Sequence, residues 1–421
     1  MTVFSGGVGS VDLLPVAATI PSSWLHEVFR AADARERATG HPITRLHVGE
    51  PYFGPPEGVA AALAHAVLRG HAGYGPVEGL VALREALVAK LATANGIDSA
   101  VSRVFATPGS CQGLLALLLA LAEPGAELLL PEMHWPVHLQ QALLAGYRPV
   151  FYPLGPDHRP DPAVVLAAGT PRTRVLVLNS PANPTGAVLG ADDLRILVNG
   201  ARSRGWQVVS DEAYEDYVYT GEHISPAALE RDVPVEERVV HSVFSFSKSL
   251  AMTGYRLGYV ATATERAARV LGVVQEANII GPATPVQHAG VAAVALRAEA
   301  AAGNRDRVRR NRDTALPALV DAGLLPALPD GGWYAVLDVT CTGLDAEVFT
   351  DRLLRHRDIA VVPGTGFALR PDLDAVGAVR SIAPAPWSRH LVRIAMCVAP
   401  EALAAGVHGL LEFVDECGRT R

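Results

Sequence analysis

From about residue 103 onward the chain alternates short apolar runs with helical stretches, and this alternation restricts the fold more than any other feature. The runs at 104–107, 127–131, 173–179, 206–210, 239–244 and 257–261 are rich in β-branched and aliphatic residues and too short for helices. None alternates cleanly between apolar and polar, so each is expected to be covered on both faces. Helical patterns at 110–122 and 136–145 separate the first of them. Strand followed by helix, repeated in this way, predicts an α/β fold with a mainly parallel sheet flanked by helices.

Upstream, an irregular arm leads into a helix at 23–38, with Ser22 or Ser23 as its N-cap. Pro- and Gly-rich turns at 49–56 and 73–76 precede helices predicted at 57–69 and 77–94. Downstream, the charged stretch 305–312 leads into a second unit that holds the segments 331–339 and 345–356 and a strand at 391–396.

Composition removes several function classes. The 421 residues suffice for two packed domains, and 49% hydrophobic residues fit a compact globular chain. A net charge of −7 offers no electrostatic footprint for nucleic acid. The longest apolar run, 114–122, is far short of the ~20 residues of a membrane helix, and the N-terminus lacks the order of a signal peptide. Cys111, Cys341, Cys397 and Cys417 are scattered, with no CxxC pair, so the expected compartment is a reducing cytoplasm. No GxGxxG is present, which removes the commonest dinucleotide motif.

Reactive residues gather where the predicted strands end, the place where open α/β sheets bind ligands. Ser245-Phe246-Ser247-Lys248, with Arg256 eight positions after the lysine, sets an amine among hydroxyls and near a permanent cation. A lysine that forms a Schiff base must lose its proton near neutral pH, which a nearby cation and partial burial favour. The serines and Arg256 suit a phosphate monoester. An amine beside a phosphate site suggests pyridoxal 5′-phosphate (PLP), although the fragment alone reads as well as a solvated lysine in a turn.

The run from Asn179 to Gly186, with two Asn and two Pro, dictates a rigid connection able to aim an amide at a ligand, and Asn183-Pro184 is a candidate cis bond. Asp211 at a strand end can pair with a ring nitrogen, and Tyr214 can donate to a ring oxygen. Acidic residues at a helix start read equally well there. Ser110 opens a helix whose free N–H groups suit a phosphate, or is an ordinary cap. Trp135 follows a strand end, as a ring cover or a half-buried core residue. His134 and His138 flank Pro136 without a third ligand, so no metal site is expected. Arg393, a charge inside an apolar strand, needs either a structural or a substrate carboxylate.

In order and spacing these motifs resemble the class I/II aminotransferases, PLP-dependent enzymes of fold type I, from Gly49 to Arg393. The resemblance implies a seven-stranded, mainly parallel sheet in a large PLP-binding domain at 51–300. It implies a smaller α+β domain made of the N-terminal segment 1–50 and residues 301–421. It implies that Lys248 holds the cofactor and shuttles the proton, that Asp211 pairs with the pyridine nitrogen, and that Tyr214 and Asn183 bond the ring oxygen. Ser110, the Cys111 N–H, Ser245, Ser247 and Arg256 would hold the phosphate, and Trp135 would stack on the ring. Gly49, Asn183 and Arg393 would receive the substrate carboxylate. Tyr74 would reach the partner subunit's phosphate, which makes the enzyme a homodimer acting on an amino acid and a 2-oxo acid.

Two departures bear on the substrate. Cys111 stands where some aspartate-specific members carry a lysine, and no arginine lies near 278–285, which favours a donor with a neutral side chain. The segment between Phe367 and Arg393 is longer than usual, rich in Ala and Pro, and expected near the substrate entrance. The same shell also leaves open elimination, decarboxylation or cyclisation on PLP, and a PLP-binding regulatory module is a further, more remote alternative.

Overall fold

The computed structural model describes residues 16–375 and 377–419. A two-residue strand, β1 (Thr44–Arg45), comes first. Then follow β2 (Val104–Thr107), β3 (Glu127–Pro131), β4 (Arg148–Tyr152), β5 (Thr173–Asn179), β6 (Gln207–Asp211), β7 (Val240–Ser245) and β8 (Gly258–Ala261). These seven form one sheet in the order β2-β8-β7-β6-β5-β3-β4. The pairs among β3 to β7 are parallel, and β8 runs antiparallel to both of its neighbours.

Successive residues of the strands feed opposite cores, which is why none of them alternates with polar residues. Leu128, Leu130, Val175 and Val209 pack beneath the helices Gly109–Ala120 and Pro136–Leu144 with Leu114, Leu117 and Leu139. Leu129, Leu176, Leu178 and Val208 pack on the other face with Leu194, Leu197 and Val198 of the helix Ala191–Ser203.

The edge strand β4 was not expected from the sequence. Its residues Arg148 to Phe151 are only half-buried, and a leading arginine and proline hide its strand character. The helix expected at 77–94 is shorter, Val81–Lys90, and continues as a π-helical turn, Leu91–Asn95. It starts late because Gln287 Oε1 takes the Leu80 N–H at 2.6 Å. Ser23 caps Trp24–Thr39 as expected, its hydroxyl accepting from the Leu25 N–H.

Beyond residue 330 come β9 (Tyr334–Asp338), β10 (Ile359–Ala360), β11 (Val362–Pro363), β12 (Leu369–Leu373), β13 (Val379–Pro384) and β14 (Leu391–Ala395). Strand β14 lies between β11 and β9, antiparallel to both. β1 pairs in parallel with β10, so the start of the chain joins its end. Leu46 accordingly packs with Val392, Ile394, Leu403 and Val407. The long segment after Phe367 is the hairpin β12–β13, which folds outward onto the sheet edge. Arg370 stacks 3.8 Å over the Phe151 ring of β4, and Arg148 donates to the Asp374 carbonyl.

The segment after β6 has two faces. Asp211 and Tyr214 point to one side, while Glu212, Glu215 and Asp216 enter a buried charge network on the other. Lys90 Nζ donates to both Glu215 oxygens at 2.5 and 2.6 Å, Asn95 donates to Glu215 at 2.7 Å, and Arg297 pairs with Asp216 at 2.5 Å. Burial alone would raise the Glu215 carboxyl, but Lys90 and then Arg297 outweigh it and hold it at about 2. A folded-state value below the ordinary 4.5 stabilises the fold above pH 4.5, and that contribution is lost as the pH falls toward 2. Lys90→Ala should therefore cost about 3–5 kcal/mol by denaturant unfolding at pH 7, because it strands a buried carboxylate. Glu215→Gln should flatten the acid limb of the stability profile, and an unchanged limb would show that the pair does not register this segment.

Candidate active site

Strands β5, β6 and β7 end side by side, and each delivers polar residues into one cleft of about 600 Å³. Twelve of the thirteen residues singled out from the sequence line it. β5 and the turn after it bring Asn179 and Asn183, with the Ser180-Pro181 and Asn183-Pro184 bonds both cis. β6 ends on Asp211, three residues before Tyr214. β7 ends on Ser245, whose hydroxyl accepts from the Ser247 N–H and starts the single turn that carries Lys248. Ser110 and Cys111 come from the first turn of Gly109–Ala120, and Trp135 from the loop before Pro136–Leu144. Gly49 and Arg393 enter from the two ends of the chain.

Tyr74 is the exception. It stands on a loop outside the cleft, 90% exposed. Among the described residues, none of the hairpin after Phe367 lines the cleft. The first turn of the helix Trp24–Thr39 supplies Leu25 and His26 there instead.

Lys248 is half-buried, and its Nζ donates to the Gly49 carbonyl at 2.8 Å, 4.8 Å from the centre of the Trp333 ring. Tyr217 donates to the Lys248 carbonyl at 2.9 Å and fixes the turn. Asp211 Oδ1 accepts from the Ala213 N–H, and Oδ2 is bonded to His138 Nε2 at 2.9 Å. Both Asp211 and His138 are buried. Burial, and then the neighbouring Tyr334, push the Tyr214 phenol well above its ordinary value, so it stays a hydroxyl donor.

Arg256 donates to Ser247 Oγ at 3.4 Å and closes over Gly109. A Cβ on Gly109 would lie 2.5 Å from Arg256 Nη2, and its φ of +77° already favours glycine. Burial pushes the Cys111 thiol up against the pull of Arg256, so this sulfur is kept protonated rather than reactive.

Arg393 is 2% exposed. Its Nη1 donates to Asn183 Oδ1 at 3.1 Å and its Nη2 to the His47 carbonyl at 2.9 Å. The rings of Tyr334 and Phe367 flank its guanidinium at 4.0 and 4.7 Å. All four partners are neutral, and Nε has no partner among the described residues. Burial pulls the Arg393 pKa down, and the groups that oppose it are Tyr334, Tyr214 and Cys397 rather than a carboxylate.

Two residues of the site escaped the sequence reading. His138 was considered only as a metal ligand, yet it braces Asp211. Its signal was a buried position in the first turn of a helix that follows a strand end. Tyr334, after Gly331-Gly332-Trp333 at the start of β9, lies within hydrogen-bonding reach of Tyr214 and under Arg393. No local pattern marked it beyond the glycine pair.

A flat phosphorylated pyridine fits this donor set. A carboxylate, two hydroxyl or amide donors, an aromatic wall, a hydroxyl-and-guanidinium cradle and an amine share one cleft. Against known proteins, the family model for aminotransferase class I and II matches residues 41–401. A probable aspartate/prephenate aminotransferase of Thermus aquaticus is 34% identical over 83% of this chain and 90% of its own length. Aromatic-amino-acid aminotransferase 2 of Thermococcus litoralis is 33% identical over 77% of this chain and 84% of its own length. A single mutant of Thermus thermophilus aspartate aminotransferase superposes with a TM-score of 0.85 at 30% identity, covering 96% of this chain and all of that one. The chain belongs to the aminotransferase class I and II family.

Proposed function

We propose that the cleft binds PLP and transfers the amino group of an L-amino acid with a neutral side chain to a 2-oxo acid. One observation carries this reading: a buried guanidinium, Arg393, that no carboxylate answers among the described residues, in the same cleft as the amine of Lys248. A buried unpaired cation is costly, and a substrate carboxylate would offset that cost with a bidentate pair.

When bound, PLP supplies a ring that takes up the charge developed at the substrate α-carbon. The chain's own groups do the rest. Lys248 Nζ would hold the cofactor and would serve as the base for the substrate α-proton. Asp211, fixed through both oxygens by His138 and the Ala213 N–H, would pair with the ring nitrogen. Asn183 spends its Oδ1 on Arg393, which leaves its amide N–H groups for the ring oxygen beside Tyr214. Ser110, the Cys111 N–H, Ser245, Ser247 and Arg256 take the phosphate, and Trp135 covers the ring.

Among the described residues the lysines and arginines on the cleft wall are Lys248, Arg256 and Arg393, each already with a task, and His26 is the one further basic side chain there. No lysine or arginine there is left over for a second substrate carboxylate, which supports a neutral donor, while Leu25 and Trp135 offer apolar surface. The smaller domain, formed from 1–50 and 301–421 against 51–300, is supported by the β1–β10 pairing. No helix of the described residues is long and apolar enough to cross a membrane, and we place the enzyme in the cytoplasm. Tyr74 and Leu68 are 90% and 85% exposed, which supports a homodimer in which Tyr74 serves the partner's phosphate.

In single-turnover mixing of the PLP-loaded protein with individual amino acids, aromatic or aliphatic donors should convert the cofactor absorbance to that of pyridoxamine phosphate. Lys248→Ala should show no conversion. Fastest conversion by aspartate would overturn the neutral side chain, and normal conversion by Lys248→Ala would overturn the whole assignment. The dimer is tested by mixing two inactive variants. A Lys248→Ala copy paired with a Tyr74→Ala copy contains one site with native Lys248 and, if Tyr74 crosses, a native Tyr74 as well. On random exchange of equal amounts, activity should recover toward a quarter of the native value, because half of the dimers are mixed and each of those has one complete site. No recovery above the Tyr74→Ala level would place Tyr74 in its own subunit's site or in neither.

A further inference from the structure

We propose that Tyr334 is a positioning residue that aims the single proton of Tyr214 at the cofactor's phenolic oxygen. This rests on the proposed place of Tyr214 beside that oxygen. As the pair stands, the Tyr214 hydroxyl donates to the Tyr334 hydroxyl at 3.1 Å, and both side chains are buried, 4% and 3% exposed. A tyrosine hydroxyl has one proton and two acceptor lone pairs. If Tyr214 spends its proton on Tyr334, nothing remains for the cofactor. If Tyr334 donates to Tyr214 instead, the Tyr214 proton is free to point into the cleft and is the more acidic for the bond it receives.

Two further contacts hold Tyr334 in this place. Its ring lies 4.0 Å beneath the Arg393 guanidinium. Its hydroxyl lies against Gly49, where a Cβ would come within 1.9 Å of the oxygen, so residue 49 must lack a side chain. The Gly49 carbonyl in turn holds Lys248 Nζ. Tyr334 thus touches the carboxylate-binding arginine, the backbone that holds the lysine and the donor to the ring oxygen. The positive face of Arg393 over the ring favours donation by the Tyr334 hydroxyl.

The test is a pH titration of the visible absorbance of the PLP-loaded protein. A donor aimed at the phenolic oxygen stabilises its negative charge and weakens its hold on the neighbouring proton, so loss of a donor raises the midpoint. Tyr334→Phe keeps the ring under Arg393 and removes only the hydroxyl. It should raise the midpoint by roughly half to one pH unit, the scale of one hydrogen bond. Tyr214→Phe should raise it further, and the double variant should match Tyr214→Phe alone, because Tyr334 acts only through Tyr214. An unchanged midpoint in Tyr334→Phe, or additive shifts in the double variant, overturns the proposal. An unchanged midpoint in Tyr214→Phe overturns instead the placing of Tyr214 itself.

Discussion

The whole site hangs on the seven residues that leave the end of β6. Asp211 and Tyr214 face the cleft, while Glu212, Glu215 and Asp216 face the protein interior, where Lys90, Arg297, Asn95, Ser225 and His223 hold them. A segment with charged hooks on its buried side cannot slip by a residue without stranding a carboxylate, at a cost of several kcal/mol. Tyr217 extends the same grip to the turn of Lys248. Buried ion pairs are weak sources of net stability, but they fix register well, and register is what two reacting groups on adjacent strand ends require.

On the cleft side the balance is deliberately left open. Arg393 has aromatic faces, an amide and a carbonyl around it, and none of them neutralises it. The desolvation cost that folding leaves there becomes binding energy for an anion of the right shape. Asp211, by contrast, already has a partner on each oxygen, which fixes its orientation before anything binds. One end of the cleft is thus finished and the other awaits its ligand.

Much of this was legible in the sequence, for a physical reason. Strands buried on both faces read as apolar runs, and the polar residues at their ends stand out against them, as Asn183, Asp211 and Lys248 do. Arg393 was visible as a charge in an apolar strand. The edge strand β4 was not, because half-exposed residues need not be apolar. His138 and Tyr334 were hidden because each acts through a partner far away in sequence, so neither spacing nor composition reports it. The hairpin β12–β13 was recognised as extra length, but its packing on β4 rather than at the cleft depends on Arg370 meeting Phe151, a contact no local pattern encodes.

Arg393 donates to the carbonyl of His47, 346 residues away in sequence, and Lys248 donates to Gly49 across 199. A chain emerging from the ribosome therefore exposes the lysine, the aspartate and the serines well before it can complete the carboxylate end. Thr44 and Arg45 lack their partner strand until β10 has been made, and Leu46 has no Val392 or Ile394 to pack on until β14 follows. Contacts of such separation fold slowly, because loop closure must be met before they stabilise anything. The cleft is thus completed last at its Arg393 end, and a nascent chain lacking the final thirty of these residues would hold every proposed cofactor-binding residue yet lack the arginine proposed to hold the amino acid.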